Sequence, residues 1–411
     1  MTPEAVARRN TRLYYGFVFF HDFGLWFGIW IKYLVVERGL ELKYVLLMDL
    51  PFWLAVASLE APFGALADRI GHGKVLAIGA AVYSVTILGF GLTTNYWMLF
   101  ADYMLWAVAQ ACRSGADQAV VFDSLKAAGR EGEFSRVAGR GFALTMTAGL
   151  AGIVLGGVVA AVAGMAFTVQ VSAVTPLVAM VMALSMKEPR LAHERRGYVE
   201  QLRSGFGYAW SHRPVRAGML LLTGLLMATF APVVLVQPFL IVHEVPTGWF
   251  GVFQAPVRLL GIGAAVLAWR LAAVAGRDRL LAGVCAAIVG AFTGLALWDS
   301  LAAFSFFAVP AMVQGLARPT LDAFINEQTP SDRRATVLSV VSLAFSVQVA
   351  FLEAVLGFIA DDVGIRAAFA FTAAVFALLL PPLYVGWLRE YRKTVAAGAG
   401  LAPAAGGAGV G

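Results

Sequence analysis

The residues best placed to do chemistry in this sequence are charged side chains set inside long apolar runs. Asp22 interrupts the first run, Asp49 and Glu60 the second, and Asp102, Arg113 and Asp117 the fourth. Arg258 lies in the eighth, Arg318 and Asp322 in the tenth, and Glu353 in the eleventh. Ionised groups in hydrocarbon are costly, so they face protein or a water-filled cavity and mark ion or substrate pathways. A carboxylate in a low-dielectric cavity holds a proton more tightly, and a nearby guanidinium favours its loss. Moving an arginine toward or away from such an acid would therefore switch proton binding. Asp22 is the first choice for the proton site, with Arg113 as its modulator and Glu60 as an alternate carboxylate. Asp117, one turn beyond Arg113, offers that arginine a simpler role as a static bridge.

Helical phase groups these acids with rings and hydroxyls, because residues three or four apart share a face. Tyr15, Phe19, Asp22, Trp26, Trp30 and Tyr33 form one stripe on the first span. Asp49, Trp53, Val56 and Glu60 form another on the second, and Asp102, Trp106, Gln110, Arg113 and Asp117 a third on the fourth. Ser339, Ser342, Ser346 and Glu353 align on the eleventh. Any single ring is more often plain packing, but four polar stripes on different helices point to a shared aqueous cavity. There Trp26, Trp30 and Trp53 would give a substrate stacking or cation–π contacts. The helical rise of about 1.5 Å per residue puts Asp22 and Arg258 near mid-membrane. It puts Asp49, Asp102, Lys32 and Glu353 toward the outer third, and Glu60, Arg113, Asp117, Arg318 and Asp322 toward the cytoplasmic third.

The elements that must position these residues follow from composition. The chain has 411 residues, 60% hydrophobic and 14% charged, with a mean hydropathy of +0.77. Soluble domains carry about 25% charged residues, so lipid is the solvent here, which excludes an ordinary soluble enzyme, a disulfide scaffold and a disordered chain. The apolar runs are continuous, which excludes a membrane barrel. A bilayer crossing needs about 20 apolar residues. Twelve runs fit, at 13–36, 44–66, 75–93, 97–123, 142–163, 165–186, 217–242, 248–270, 280–297, 301–325, 336–360 and 366–388. The expected fold is all-α: twelve transmembrane helices in two pseudo-symmetric six-helix bundles. The first bundle is residues 1–186, a cytoplasmic linker follows at 187–216, the second bundle is 217–395, and 396–411 is an Ala/Gly/Pro-rich tail expected to be disordered. Spans three, six, nine and twelve are nearly free of charge, which suits peripheral, lipid-facing helices.

Of 31 Lys and Arg residues, 24 fall in the termini and even-numbered loops. The positive-inside rule then places both termini in the cytoplasm, and the +6 net charge is topogenic; it offers no single tract for nucleic acid. Cys112 and Cys285 lie in separate apolar runs, so neither a metal site nor a structural disulfide is expected. No cofactor is expected either. Lipids, protons and a small-molecule substrate are the expected partners of a monomer.

The halves echo each other. Arg113-Ser-Gly-Ala-Asp117 has a counterpart in Arg318-Pro-Thr-Leu-Asp322, and Gly157-x3-Ala161-x2-Gly164 in Gly357-x3-Asp361-x2-Gly364. Falling on corresponding helices, these support a duplicated six-helix unit. After the second span comes Gly64-Ala-Leu-Ala-Asp68-Arg69-Ile-Gly71-His72-Gly73-Lys74. Its glycines allow a tight turn and close helix approach, and Asp68 could cap a helix N-terminus. This loop resembles the signature of the major facilitator superfamily, on the expected side and after the expected helix. Glu60-Ala-Pro-Phe-Gly64 and Phe122-Asp123-Ser124-Leu125-Lys126 also look family-like. The resemblance implies that Gly64, Asp68, Arg69, Gly71 and Lys74 form a gating latch, with Asp68 near the start of the eleventh span. His72 and Gly73 stand where basic residues are usual. Gly149, Gly152, Gly156 and Gly157 partly resemble the glycine pattern of the drug:proton antiporter branch, with Ile153 at its proline position. Arg113 resembles that family's arginine linked to proton coupling.

No Walker motif or catalytic triad is present, so an ion gradient is the expected energy source and an enzyme is not expected. The leading expectation is proton-coupled alternating access at the inner membrane that exports amphipathic small molecules. Import of a sugar, organic acid or siderophore is the alternative, and a receptor or intramembrane enzyme a remote one.

Overall fold

The computed structural model describes residues 1–188, 206–330 and 333–399. It is all-helical apart from short connections. Among the described residues ten helices are long and apolar enough to cross a membrane. Two further rods, the first and fourth spans, are interrupted and carry the charged residues of the candidate site, so their apolar windows are broken.

The first span starts at Pro3, which fits a first helical turn because its missing N–H would have no partner there, and Thr2 Oγ1 accepts from the Ala5 amide at 3.3 Å. The helix Pro3–Asp22 then ends, and residues 23–29 run as turn and coil before Trp30–Lys32 and a wider-wound Tyr33–Glu37. The expected stripe running on through Trp26, Trp30 and Tyr33 is therefore corrected: the helical register stops at Asp22. The physical cause is a set of partners for the freed backbone groups. Thr175 Oγ1 donates to Phe23 O, Gln237 Nε2 to Phe27 O, and Gln254 Nε2 to Gly28 O, at 3.0, 3.1 and 3.0 Å. Gln237 Oε1 accepts from the Ile31 and Lys32 amides at 3.0 and 3.2 Å. Unwound backbone survives at membrane depth only with such partners. The fifth span, Phe134–Ala163, presses close here: a Cβ on Gly152 or Gly156 would collide with the backbone of Gly24 or Leu25.

The fourth span breaks at Ser114 and Gly115, between Tyr96–Arg113 and Ala116–Ala127. Gly115 has φ +73°, a left-handed conformation that glycine adopts without Cβ strain.

Helix packing shows the duplication directly. In the first half, span one packs on five and six, two on four, and three on six; in the second, seven packs on eleven and twelve, eight on ten, and nine on twelve. Adding six to each number maps one set onto the other. Across the seam, two meets eleven and five meets eight, related by the same rule. The twelfth helix runs Ile365–Ala399, past its expected end at 388 and into the expected tail; 400–411, with linker residues 189–205, lie outside the described residues.

Contacts across the seam gather at mid-bundle and at the end remote from the termini. There the Lys43 amide donates to Asp361 Oδ2 at 2.6 Å, and Lys43 Nζ pairs with Asp362 at 3.2 Å. Gly357 lies close to Lys43 and Leu46. At the terminal end the picture is open: nothing lies within 4 Å of a Cβ on Gly64, and Asp68, Arg69 and Arg318 are exposed.

Candidate functional site

The interruptions of the first and fourth spans meet, and the charges meet with them. Asp22 closes one helical segment and Arg113 closes another, so both side chains reach into the gap where the backbone departs. Arg113 donates Nη1–H to Asp22 Oδ1 and Nη2–H to Asp22 Oδ2, both at 2.7 Å. This fork-to-fork geometry is the strong form of a charge-assisted pair. Thr145 Oγ1 on the fifth span donates to Asp22 Oδ2 at 2.9 Å. Buried His21 places Nδ1 2.9 Å from Arg113 Nη1, and its ring stacks on Tyr83 at 4.9 Å. Asp117 is 3.6 Å from Arg113 Nε and uses Oδ1 to accept from the Gln118 amide at 2.7 Å. It stands in the first turn of the second segment of the fourth span, where a carboxylate suits the positive end of the helix. The static Arg113–Asp117 bridge is thus secondary, and the depth difference assigned to Asp22 and Arg113 is corrected, because the two touch. Glu60 joins through the break itself, accepting from Ser114 Oγ at 2.9 Å.

This group faces the open end. Tyr15 and Phe19 on the first span and Gln110 on the fourth are partly exposed around it. In the second half, Arg318 and Asp322 pair at 3.6 Å with side chains 59% and 30% exposed. They repeat the Arg113–Asp117 spacing, but Arg318 meets no counterpart of Asp22 among the described residues.

The other members of the four polar stripes gather in separate groups. Trp26 and Trp106 pack edge to face at 5.5 Å, and Trp106 packs on Phe52 at 4.7 Å, inside the first half. With Asp102, Tyr83, Phe90 and Tyr103 they line a cavity of about 20 Å³, room for roughly one water molecule. Trp26 and Trp30 are both buried, so in this pose they pack within the protein. Asp49, Trp53 and Glu353 form a third group within the seam: Trp53 Nε1 donates to Glu353 Oε2 at 3.2 Å, and Asp49 and Glu353 are 6% and 1% exposed. Ser346 is partly exposed and donates to its own helix at Ser342 O, 3.0 Å away.

Arg258 does not neutralise Asp22, which Arg113 already occupies. Its guanidinium lies over the Phe27 ring at 5.4 Å, beside the unwound stretch, and it forms no ion pair among the described residues. In the loop after the second span, Gly71 makes the turn with φ +105°, Lys74 is exposed, and Asp68 lies 3.7 Å from His72 Nε2. Glu188 Oε1, not Asp68, accepts from the Gly73 amide at 2.6 Å. Among the described residues Asp68 has no hydrogen bond or ion pair with the eleventh span, where the resemblance implied one.

Sequence reasoning passed over His21, Gln237, Gln254, Thr145 and Glu188. The glutamines carried a signal, as uncharged polar groups in otherwise apolar runs. Thr145 carried none, because a threonine in a helix commonly bonds its own backbone.

Comparison with known proteins agrees with this architecture. The family model described as Major Facilitator Superfamily matches residues 13–313 and 276–405. An uncharacterised MFS-type transporter of Methanocaldococcus jannaschii is 29% identical over 90 residues, 22% of this chain and only 23% of that protein. Among solved structures, a nucleoside transporter carrying an alanine substitution superposes with a TM-score of 0.75 at 13% identity, covering 93% of this chain and 100% of that one. A bacterial homologue of the human lysosomal transporter Spinster, inward-facing and unoccupied, gives 0.74 at 14% identity over 94% and 97%. A broken-helix bundle of this pattern, matched by the family model over nearly its whole length, belongs to the Major Facilitator Superfamily, whose members are multi-pass secondary transporters working by alternating access.

Proposed function

We propose that this protein is a proton-coupled transporter in which Asp22 carries the proton and Arg113 displaces it. The observation that carries the reading is the bidentate Asp22–Arg113 pair at the meeting of two helix breaks. A carboxylate forked onto a guanidinium is in its charged form, and it faces the end that the basic loops assign to the cytoplasm. The conformation is then inward-open with its proton released, and likeness to the inward-facing Spinster homologue supports that state. When the halves rock, withdrawal of Arg113 leaves Asp22 in a poorly hydrated gap, where it takes a proton from the opposite side. Glu60, tied to Ser114 at the same break, is the alternate carrier.

Export of amphipathic small molecules is the direction we favour, on the partial antiporter pattern of the fifth span. Those glycines also serve packing, since Gly152 and Gly156 admit the unwound first span. Arg258 supports a second reading, import of a compound with an anionic group such as an organic acid, because it stands beside the unwound segment with an aromatic face as its contact.

Reconstituted vesicles with an imposed pH gradient test the coupling. Asp22→Asn should abolish gradient-driven transport while counterflow exchange of substrate persists, and full proton-driven transport by that variant would falsify the assignment. A thermal-shift screen of purified protein against a diverse library at two pH values identifies the substrate class; accumulation or exclusion of the resulting ligand by cells decides the direction.

A further inference from the structure

We propose that Asp102 holds the primary ammonium of an aminophospholipid in a groove between spans three and four, at the end remote from the termini. Span three is His72–Leu92, and a short turn joins it to Tyr96–Arg113, the first segment of span four. Gly89, Leu92, Thr94, Met98 and Asp102 line a groove of about 540 Å³ beside that turn. The sequence shapes it locally. Asn95 Oδ1 caps span four by accepting from the Trp97 and Met98 amides at 2.9 and 3.2 Å. Gly89 lets the Asp102 carboxylate lie against span three, because a Cβ there would stand 2.8 Å from Oδ1. Asp102 has no hydrogen-bond or ion-pair partner among the described residues. Arg38, which reaches the end of span three, already donates to Tyr33 Oη and Gly91 O at 2.7 and 2.8 Å. On its other side Asp102 borders the small chamber of Trp26, Tyr103 and Trp106, whose rings bring no charge.

The surroundings identify the cation. Leu88, Leu92, Trp97, Met98 and Leu105 are exposed, so the flanks of the groove are apolar, as a lipid-facing surface requires. Trp97, in the first turn of span four, suits the headgroup level. Asp102 lies about 9 Å further in than Tyr96, at the helical rise of about 1.5 Å per residue, where headgroups give way to acyl chains. Lipid is what fills this depth, and the positive group a phospholipid carries is an ammonium. A carboxylate bordered by hydrocarbon is costly alone, and an N–H donated to it makes a charge-assisted hydrogen bond. A primary ammonium has such hydrogens; a quaternary one has none, and its methyl groups hold the charge farther away. Exposed Thr94 at the mouth leaves its hydroxyl to the phosphate, and the chains run along Leu88 and Leu105. This inference rests on the membrane-spanning fold and not on Asp22 as the proton site.

The test is native mass spectrometry of the full chain released from nanodiscs that hold phosphatidylethanolamine and phosphatidylcholine of the same acyl chains in equal amounts. The wild-type protein should retain phosphatidylethanolamine about tenfold over phosphatidylcholine, the difference one charge-assisted hydrogen bond supplies. Asp102→Asn should retain the two lipids alike, while Asp22→Asn should keep the wild-type preference. Equal retention by the wild-type protein means that water alone serves Asp102, and it overturns the proposal, as does a preference that survives Asp102→Asn. A photoreactive phosphatidylethanolamine locates the site with no substitution, so the proposal stays testable if Asp102→Asn does not fold. Cross-links should fall on peptides holding Leu92 and Met98, and cross-links confined to other surfaces overturn it.

Discussion

Asp22 has three kinds of neighbour, and each acts on it differently. Arg113 supplies charge, Thr145 a hydroxyl donor, and His21 a ring that steadies the guanidinium from behind. Hydrogen bonds to a charged group contribute about 1.5–3 kcal/mol each. Thr145→Val removes one of them and leaves Arg113 in place, so transport should persist with its pH profile displaced to higher pH; initial rates across a pH series check this. Losing Arg113 is more severe, because a buried charge left alone costs about 3–5 kcal/mol. Much of this site was legible in the sequence. An acid and an arginine in separate apolar runs had to find partners, and Asp22 with Arg113 was the pair expected. What spacing could not show was which acid wins, since Asp117 sits at ideal helical distance. The break at Gly115 decides it, by turning Asp117 toward its own helix start.

The breaks themselves are the element-scale lesson. Hydrophobic periodicity assumes an unbroken helix, so it ran one stripe from Tyr15 to Tyr33, although the helix stops at Asp22. Gly24 and Gly28 hinted at the interruption, but the groups that stabilise it come from spans six, seven and eight, over 140 residues away along the chain. Such long-range partners leave no local pattern. Gln237→Leu would strand two amides and a carbonyl, at a cost of about 3 kcal/mol or more. Because those bonds join opposite halves, the loss should fall on the closed outer seam more than on the fold. Labels across that seam should report more of the open form, while the melting temperature of the first half, followed by buried-cysteine reactivity at Cys112, changes less.

At the scale of the whole molecule, the sequence-based expectation of two related bundles meets a packing pattern in which adding six to each span number maps one half onto the other. The conformational state was not legible, since it depends on contacts that exist in only one pose. Here the end remote from the termini is held by Lys43 with Asp361 and Asp362, while Asp68 and Arg69 are exposed. Lys43→Ala removes the side-chain pair with Asp362 and keeps the backbone bond to Asp361, and exposed pairs of this kind are weak. It should raise the outer-open population several-fold without loss of expression, as accessibility of an outer-end cysteine to a membrane-impermeant thiol reagent would show. The glutamine splice has a further result. Ile31 and Lys32 lend their backbone hydrogens to a side chain of the opposing bundle, so each swing of the transporter must surrender those hydrogens to the solvent or to a rewound helix. Where the solvent takes them, deuterium uptake at these two positions rises with the time the molecule spends away from the pose seen here.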